Sequence, residues 1–279
     1  MNIRSAIIEG TGILKAKSIN SAKLDSEILL ASAIEQDREY LILNNDQNIK
    51  EENLRYYQKL ITKRSFREPI AYLTNKKNFW NYKFLVTKDT LIPRPDTEVI
   101  VEQILKITKF KTKMKILDIG VGSGCILLTI LKERKNFYGV GVDISKKCLN
   151  ISKINAKNLE VSSRVKFFKT DVDKFAQGKY DLIVSNPPYI KKLDLKYLEK
   201  DVINFEPKLA LDGGLDGLSE IRKVIKKSSE LIKKNGKFIL EIGFDQKNKV
   251  INLLKDEGFY INSILKDLAK NDRCIVSTK

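Results

Sequence analysis

Met114-Lys115-Ile116-Leu117-Asp118-Ile119-Gly120-Val121-Gly122-Ser123-Gly124 is a short, largely apolar run that ends in three glycines within five residues. The apolar part has the length and composition of a buried strand. The glycines let the backbone turn sharply and let a ligand approach it closely. A helix follows from Cys125, and its N-terminus favours an anionic group. Outward from this point the chain alternates. Further strands are expected at Tyr138 to Val142, Val165 to Phe168, Asp181 to Ser185, Phe238 to Ile242, Tyr260 to Leu265 and Cys274 to Ser277, with helical stretches between most of them. This pattern predicts an α/β domain with a mostly parallel, doubly wound, Rossmann-like sheet.

Asp143 ends the second of these strands, at roughly the 20-residue spacing at which a carboxylate accepts hydrogen bonds from both ribose hydroxyls. The first two strands therefore read as a nucleoside-cofactor site. Its candidate residues are Asp118, Gly120, Val121, Gly122, Ser123, Gly124 and Asp143. A dinucleotide fingerprint would need glycine where Cys125 stands. The loop here is instead G-x-G-x-G, the usual form in enzymes that use S-adenosylmethionine. Asp171, just after the third strand, is placed to accept a hydrogen bond from an adenine amino group; as a strand-end carboxylate it can equally be a solvated surface group.

The most informative stretch is Asp181-Leu182-Ile183-Val184-Ser185-Asn186-Pro187-Pro188-Tyr189. An apolar strand runs directly into asparagine, two prolines and a tyrosine. In a doubly wound sheet the fourth strand neighbours the first across the topological switch point, so this loop and the glycine loop face one crevice. An amide nitrogen is a poor nucleophile because its lone pair is delocalised into the carbonyl. It must be held in line with a reactive methyl group, and charge developing on its N–H groups must be stabilised. The Asn186 side-chain oxygen and the Pro187 carbonyl can each accept one hydrogen of an NH₂ group. Pro188 keeps Pro187 extended, and Tyr189 can pack on a planar amide or an adenine-like ring. Asn186 and Pro187 are thus the catalytic candidates, Asn186 to Tyr189 the substrate-binding ones, and Asn186 also borders the cofactor.

Residues 1–75 read as a small helical bundle, with apolar residues such as Ile3, Ile7, Leu14, Leu24, Ile28 and Leu29 at helical spacing. Ser21 and Asn48 are candidate helix starts, Asn48 with Glu51 three residues on as a capping box, and Gly12 is a candidate break. Residues 76–96 read as a hairpin around Asn81-Tyr82 followed by the stiff connector Leu91-Ile92-Pro93-Arg94-Pro95. The transferase domain is expected over 97–279.

Composition narrows the chemistry. The 279 residues contain no histidine, which excludes Ser-His-Asp and Cys-His machinery and removes the commonest general base and metal ligand; no metal site is expected. Cys125, Cys148 and Cys274 are odd in number and widely spaced, which argues against a disulfide framework and for a reducing cytoplasm. No apolar run reaches the roughly 20 residues of a membrane span. The formal net charge of +17 is compatible with attraction to nucleic acid. The lysines are scattered through every segment, the pattern of a solvated surface and of a codon bias toward Lys, Ile and Asn.

Nearly the whole chain resembles the HemK/PrmC family of N5-glutamine methyltransferases. The resemblance is carried by Ser21-Ala22-Lys23-Leu24-Asp25 to Leu30, Arg67-Glu68-Pro69-Ile70-Ala71-Tyr72, Leu91 to Glu98, the glycine loop and Asn186-Pro187-Pro188-Tyr189-Ile190. Phe205-Glu206-Pro207, Ala210-Leu211, Gly214 to Leu218 and Asn271-Asp272-Arg273 also carry it. It implies a class I S-adenosylmethionine-dependent methyltransferase fold with S-adenosylhomocysteine as product, Asp171 and Val172 lining the adenine, and Asn186 to Tyr189 gripping the glutamine of the Gly-Gly-Gln motif of class I peptide chain release factors. The helical bundle would help dock that partner. Two positions depart from the family pattern: Val172 stands where an aromatic is common, and Lys270 where glycine is frequent. Pro95-Asp96-Thr97-Glu98 favours the release-factor branch over the ribosomal-protein glutamine methyltransferases, which tend to carry serine after the arginine. The alternatives are that ribosomal-protein branch, an N6-adenine nucleic-acid methyltransferase with the same loop, and a non-catalytic nucleic-acid- or ribosome-binding module that kept the fold. No direct nucleic-acid contact is required by the main reading, and a monomer is expected.

Overall fold

A computed structural model describes all 279 residues. The chain divides into two compact units. One comprises Met1–Lys76 and Glu199–Phe205, the other Lys77–Leu198 and Glu206–Lys279.

The first unit is helical: α1 (Ile3–Ala16), α2 (Ala22–Ala33), α3 (Arg38–Leu43), α4 (Glu51–Ser65) and α5 (Ile70–Leu73), joined by a short helix at Lys200–Phe205. α1 buries Ile3, Ala6, Gly10 and Leu14, one face at helical spacing. Asn2 caps it by accepting from the Ser5 amide at 2.8 Å. Gly12 does not break the helix. It lies exposed within α1, where one glycine costs only about 1 kcal/mol against the burial of the opposite face. Gly10, by contrast, is a packing requirement: a Cβ there would sit 2.0 Å from the Tyr57 hydroxyl and 2.9 Å from Ser26 Oγ.

Asn48 does not start α4. Its backbone pairs with Asn2 in an isolated bridge, Ile3 donates to the Gln47 carbonyl and Ile49 to that of Met1, so Lys50 takes the cap position. Ser21 does precede α2, but its side chain makes no capping bond. The buried Arg64 guanidinium is held by Asp25 Oδ2 and Asp201 Oδ2, each at 2.7 Å. Pairing on this scale is what makes a charge tolerable inside so small a bundle.

The second unit opens with the hairpin β1 (Lys76–Phe79) and β2 (Tyr82–Leu85), whose turn holds Trp80 at a positive φ. α6 (Glu98–Ile107) follows. The α/β part is β3 (Lys115–Ile119), α7 (Cys125–Glu133), β4 (Tyr138–Asp143), α8 (Lys146–Asn158), β5 (Val165–Lys169), β6 (Tyr180–Ser185) and, after the Lys200–Phe205 helix of the first unit (α9) in chain order, α10 (Ser219–Leu231), β7 (Ile232–Glu241), α11 (Lys247–Asp256), β8 (Tyr260–Lys266) and β9 (Asp272–Thr278). The sheet order is β5-β4-β3-β6-β7-β9-β8, with every pair parallel except those of β9, which runs antiparallel to both neighbours.

Two apolar clusters cover the sheet. One gathers Ile100, Ile104, Leu127, Leu128 and Leu131 from α6 and α7 with Phe79 and Phe84 of the hairpin; the other gathers Ile221, Val224 and Ile225 of α10 with Val250 and Leu254 of α11. Burial on both faces explains why β3, β6 and the end of β7 read as continuous apolar runs rather than alternating ones.

Candidate active site

Strand register assembles the site. Ile119 of β3 pairs with Val142 of β4 and Ser185 of β6, and Ser185 pairs with Leu240 of β7. The next residue on each of these strands is therefore Gly120, Asp143, Asn186 and Glu241. Parallel strands lie about 4.8 Å apart, so four residues distant in sequence emerge in a row at one sheet edge. The switch point lies between β3 and β6, where crossovers leave to opposite faces. The Ser185 hydroxyl, donating to the Ile119 carbonyl at 2.7 Å, fastens the two loops at that point.

The glycine loop is held from behind. Gly120 and Val121 donate to the Val142 carbonyl at 2.9 and 3.0 Å. Ser152 donates to the Gly122 carbonyl at 2.7 Å and Asn155 to that of Ser123 at 2.9 Å, both from α8. Gly120, Gly122 and Gly124 all have positive φ, and a Cβ on Gly120 would meet nothing within 4 Å, so its outer face is open. Asp143 accepts from Gly122 at 2.9 Å with Oδ2 and from Ser145 at 2.8 Å with Oδ1. Each oxygen keeps a second lone pair for a ribose hydroxyl. Asp118 is 1% exposed, its Oδ1 has no partner, and burial pushes its carboxyl up to about 7. An open glycine face, an orphaned buried carboxylate oxygen and a strand-end aspartate with lone pairs to spare suit a nucleoside carrying cationic groups, as S-adenosylmethionine does.

Asn186 is half-buried and Pro187 buried. The segment beyond them is clamped. Ile190 donates to the Leu211 carbonyl at 3.1 Å, and Gly213 donates back to Ile190 at 2.8 Å. The Gln246 amide donates to the Tyr189 and Gly217 carbonyls, both at 3.0 Å. Gly217 is needed here, since a Cβ would stand 2.6 Å from the Tyr189 carbonyl oxygen. The motif therefore sits on a preformed frame, which limits the reorganisation a bound amide would require.

Behind Asn186 lies a network that reading along the chain did not assemble. The Asn186 Nδ2 donates to Thr97 Oγ1 at 3.3 Å, and the Thr97 hydroxyl donates to Glu241 Oε2 at 2.8 Å. The Tyr189 hydroxyl donates to Glu241 Oε1 at 3.4 Å and accepts from Arg273 at 3.4 Å. Arg273 is paired with Asp267 at 2.8 Å and Asp96 at 3.4 Å. Glu241 is 1% exposed, and its burial pushes the carboxyl up to about 7. Burial, with the nearby Glu241 charge second, also raises the Tyr189 hydroxyl, so it stays protonated. The Tyr189 ring packs on the second apolar cluster. In sequence, Asp96, Thr97 and Arg273 stand out only as parts of the stretches that carry the resemblance, and Glu241 only as an acidic residue inside the apolar run Phe238 to Ile242.

The proline connector is anchored by Glu206, which accepts from Arg94 at 2.5 Å and from the Ile92 amide at 3.2 Å. Asp171 and Val172 lie just past β5 on the same sheet edge. Asp171 accepts from the Asp173 amide at 3.2 Å, and Val172 packs on the second cluster. The departure at Lys270 has a conformational cost: its φ is +66°, in the left-handed region where glycine is favoured.

Residues 95–256 match the family model described as Methyltransferase small domain, and residues 5–74 match that described as PrmC N-terminal domain. A release factor glutamine methyltransferase of Clostridium acetobutylicum is 38% identical over 282 residues, covering 100% of this chain and 99% of that protein. One of Clostridium botulinum is 39% identical over 282 residues, covering 100% of both. Among solved structures, a methyltransferase from Pyrococcus furiosus superposes with a TM-score of 0.54 at 16% identity, over 80% of this chain and 97% of that one, a likeness of fold. With both units matched to the same family and relatives aligned end to end, this chain belongs to the HemK/PrmC family of release factor glutamine methyltransferases.

Proposed function

We propose that this protein transfers a methyl group from S-adenosylmethionine to the side-chain amide nitrogen (N5) of the glutamine in the Gly-Gly-Gln motif of class I peptide chain release factors, in support of translation termination. The observation that carries this reading is the strand register that sets Asn186-Pro187-Pro188-Tyr189 directly beside the open glycine loop. The cofactor supplies a methyl group already activated on a sulfonium centre. The chain then has to bind, align and desolvate. Asp143 and the loop from Gly120 to Gly124 hold the nucleoside and its amino-acid tail, with Asp118 behind them and Asp171 and Val172 at the adenine end. Asn186 Oδ1 and the Pro187 carbonyl accept the two hydrogens of the acceptor amide, leaving its nitrogen directed at the methyl group; as the nitrogen gains the methyl group, one of those hydrogens leaves as a proton to water. Alignment of this kind can be worth effective molarities of order 10⁵ M, which suits a site without histidine. Burial raises the Cys125 thiol to about 12 and the Cys148 thiol to about 11, so both stay neutral and neither competes as a nucleophile.

In this reading residues 1–75 dock the factor, 76–96 form the hairpin and connector, and 97–279 carry out transfer. In the same reading the enzyme is a monomer and works in the cytoplasm; the three unpaired cysteines suit a reducing compartment. No helix is long and apolar enough to cross a membrane.

The test is transfer of methyl label from S-adenosylmethionine to a purified class I release factor, alongside a factor whose Gly-Gly-Gln glutamine is changed to alanine. Label on the native factor alone is the expected result. Label on neither factor but on ribosomal protein or DNA supplied in parallel moves the assignment to that substrate.

A further inference from the structure

Accepting amide methylation as the reaction, we propose that Glu241, acting through Thr97, is a positioning residue that fixes which end of the Asn186 amide faces the acceptor. The argument is a count of protons. Thr97 has one hydroxyl hydrogen, and it is directed at Glu241 Oε2, 2.8 Å away. An ionised carboxylate only accepts, so the hydroxyl must donate to it. The Thr97 oxygen is then left as an acceptor toward Asn186, and the group it can accept from is the Asn186 NH₂ at 3.3 Å. With the amide nitrogen tied back, Asn186 Oδ1 is the end left to receive a hydrogen from the acceptor glutamine. An Asn186 turned by 180° would present two donors to a group that is itself a donor, and no transfer geometry results.

Two further observations support a positioning role over a packing one. Glu241 emerges one residue beyond Leu240, whose strand partner Ser185 immediately precedes Asn186, so the sheet register holds the carboxylate beside the amide it orients. The second oxygen of Glu241 takes the Tyr189 hydroxyl at 3.4 Å, which couples both ends of the Asn186–Tyr189 motif to one carboxylate.

The same count gives a pH dependence. Once Glu241 carries a proton it can donate to Thr97, the threonine hydrogen is freed toward Asn186, and the reversed amide becomes the better partner. The charged and titratable groups around Glu241 are Arg273, Asp96 and Tyr189, with Cys125 and Cys274 also within its electrostatic reach. Arg273 favours the ionised form, and burial together with Asp96 opposes it. The active orientation is therefore lost as pH falls through the neutral range.

The experiment compares wild type with Thr97→Val, Thr97→Ser and Glu241→Gln, using methyl-labelled S-adenosylmethionine and the release factor. Wild-type transfer to the factor is scored first and tests the reaction itself. If wild type labels no factor, the functional reading fails whatever Thr97 does, and orientation is judged from a second readout: the ¹⁵N-resolved side-chain NH₂ of Asn186 and its exchange with water. Thr97→Val should lower kcat about ten-fold or more with little change in KM for S-adenosylmethionine, and should expose the Asn186 NH₂ to exchange. Thr97→Ser, which restores the hydroxyl, should recover both. Glu241→Gln keeps an acceptor oxygen but cannot ionise, so the acid limb of its kcat profile should flatten. A Thr97→Val enzyme that matches wild type in kcat and in Asn186 exchange overturns the proposal. So does a Thr97→Ser enzyme as impaired as the valine variant, or an unaltered acid limb in Glu241→Gln.

Discussion

In the proposed reaction a single side chain, Asn186, carries the heaviest chemical demand. It is half-buried at the end of β6, with its nitrogen tied to Thr97 and its oxygen left for a ligand. Replacing it by alanine removes an acceptor aimed at charge that develops only during transfer. Asn186→Ala should therefore bind S-adenosylmethionine almost as wild type, measured by calorimetry, while methyl transfer falls about 10²–10³-fold. Near-wild-type turnover would mean that the Pro187 carbonyl alone suffices. Asn186 and Asp143 announce themselves in sequence because each follows an apolar strand and carries a polar group with few other uses there. Glu241 does not, because a lone carboxylate in an apolar run has no stated partner until β6 and β7 are placed side by side.

Among the elements, α1 shows how two glycines in one helix can have opposite meanings. Gly10 and Gly12 look alike in sequence, yet Gly10 faces Tyr57 and Ser26, while a Cβ at Gly12 would meet nothing within 4 Å. Gly12→Ala should stabilise the protein by up to about 1 kcal/mol through helix propensity. Gly10→Ala should destabilise it by about 1–3 kcal/mol through overpacking. Urea unfolding of the two variants measures both, and a stabilised Gly10→Ala would contradict the described packing. The misplaced start of α4 has a similar origin. Asn48 and Glu51 satisfy a local capping rule, but the backbone around Asn48 is drawn into pairing with Asn2, 46 residues away, and a long-range bridge outweighed the local signal.

For the molecule as a whole, the buried carboxyls link stability to pH. Asp118 and Glu241 both sit near 7, well above their values in an unfolded chain, because burial disfavours the charged form. A raised carboxyl binds its proton more tightly when folded. Its contribution is therefore complete below about pH 4 and is lost as pH rises through about 7. Glu241→Gln removes one such group. Measured by thermal or urea unfolding, the variant should gain on wild type by about 3 kcal/mol between about pH 4 and pH 8. A gap that does not change with pH would show that Glu241 is no harder to ionise in the folded protein than in the unfolded one.

The sequence by itself determined the fold class, the glycine loop and the Asn-Pro-Pro-Tyr motif. Each of these depends on a local pattern: an apolar run of strand length, glycines at a turn, or prolines that restrict their neighbours. It also excluded histidine-based catalysis outright. Tertiary structure alone decided that Glu206 anchors the proline connector 112 residues before it, that Arg64 joins Asp25 to Asp201, and that Thr97, Glu241 and Asn186 form one hydrogen-bonded line. The physical reason is the same in each case. A polar side chain has many local readings, and only burial, which makes an unpaired donor or charge costly, selects the distant partner that satisfies it.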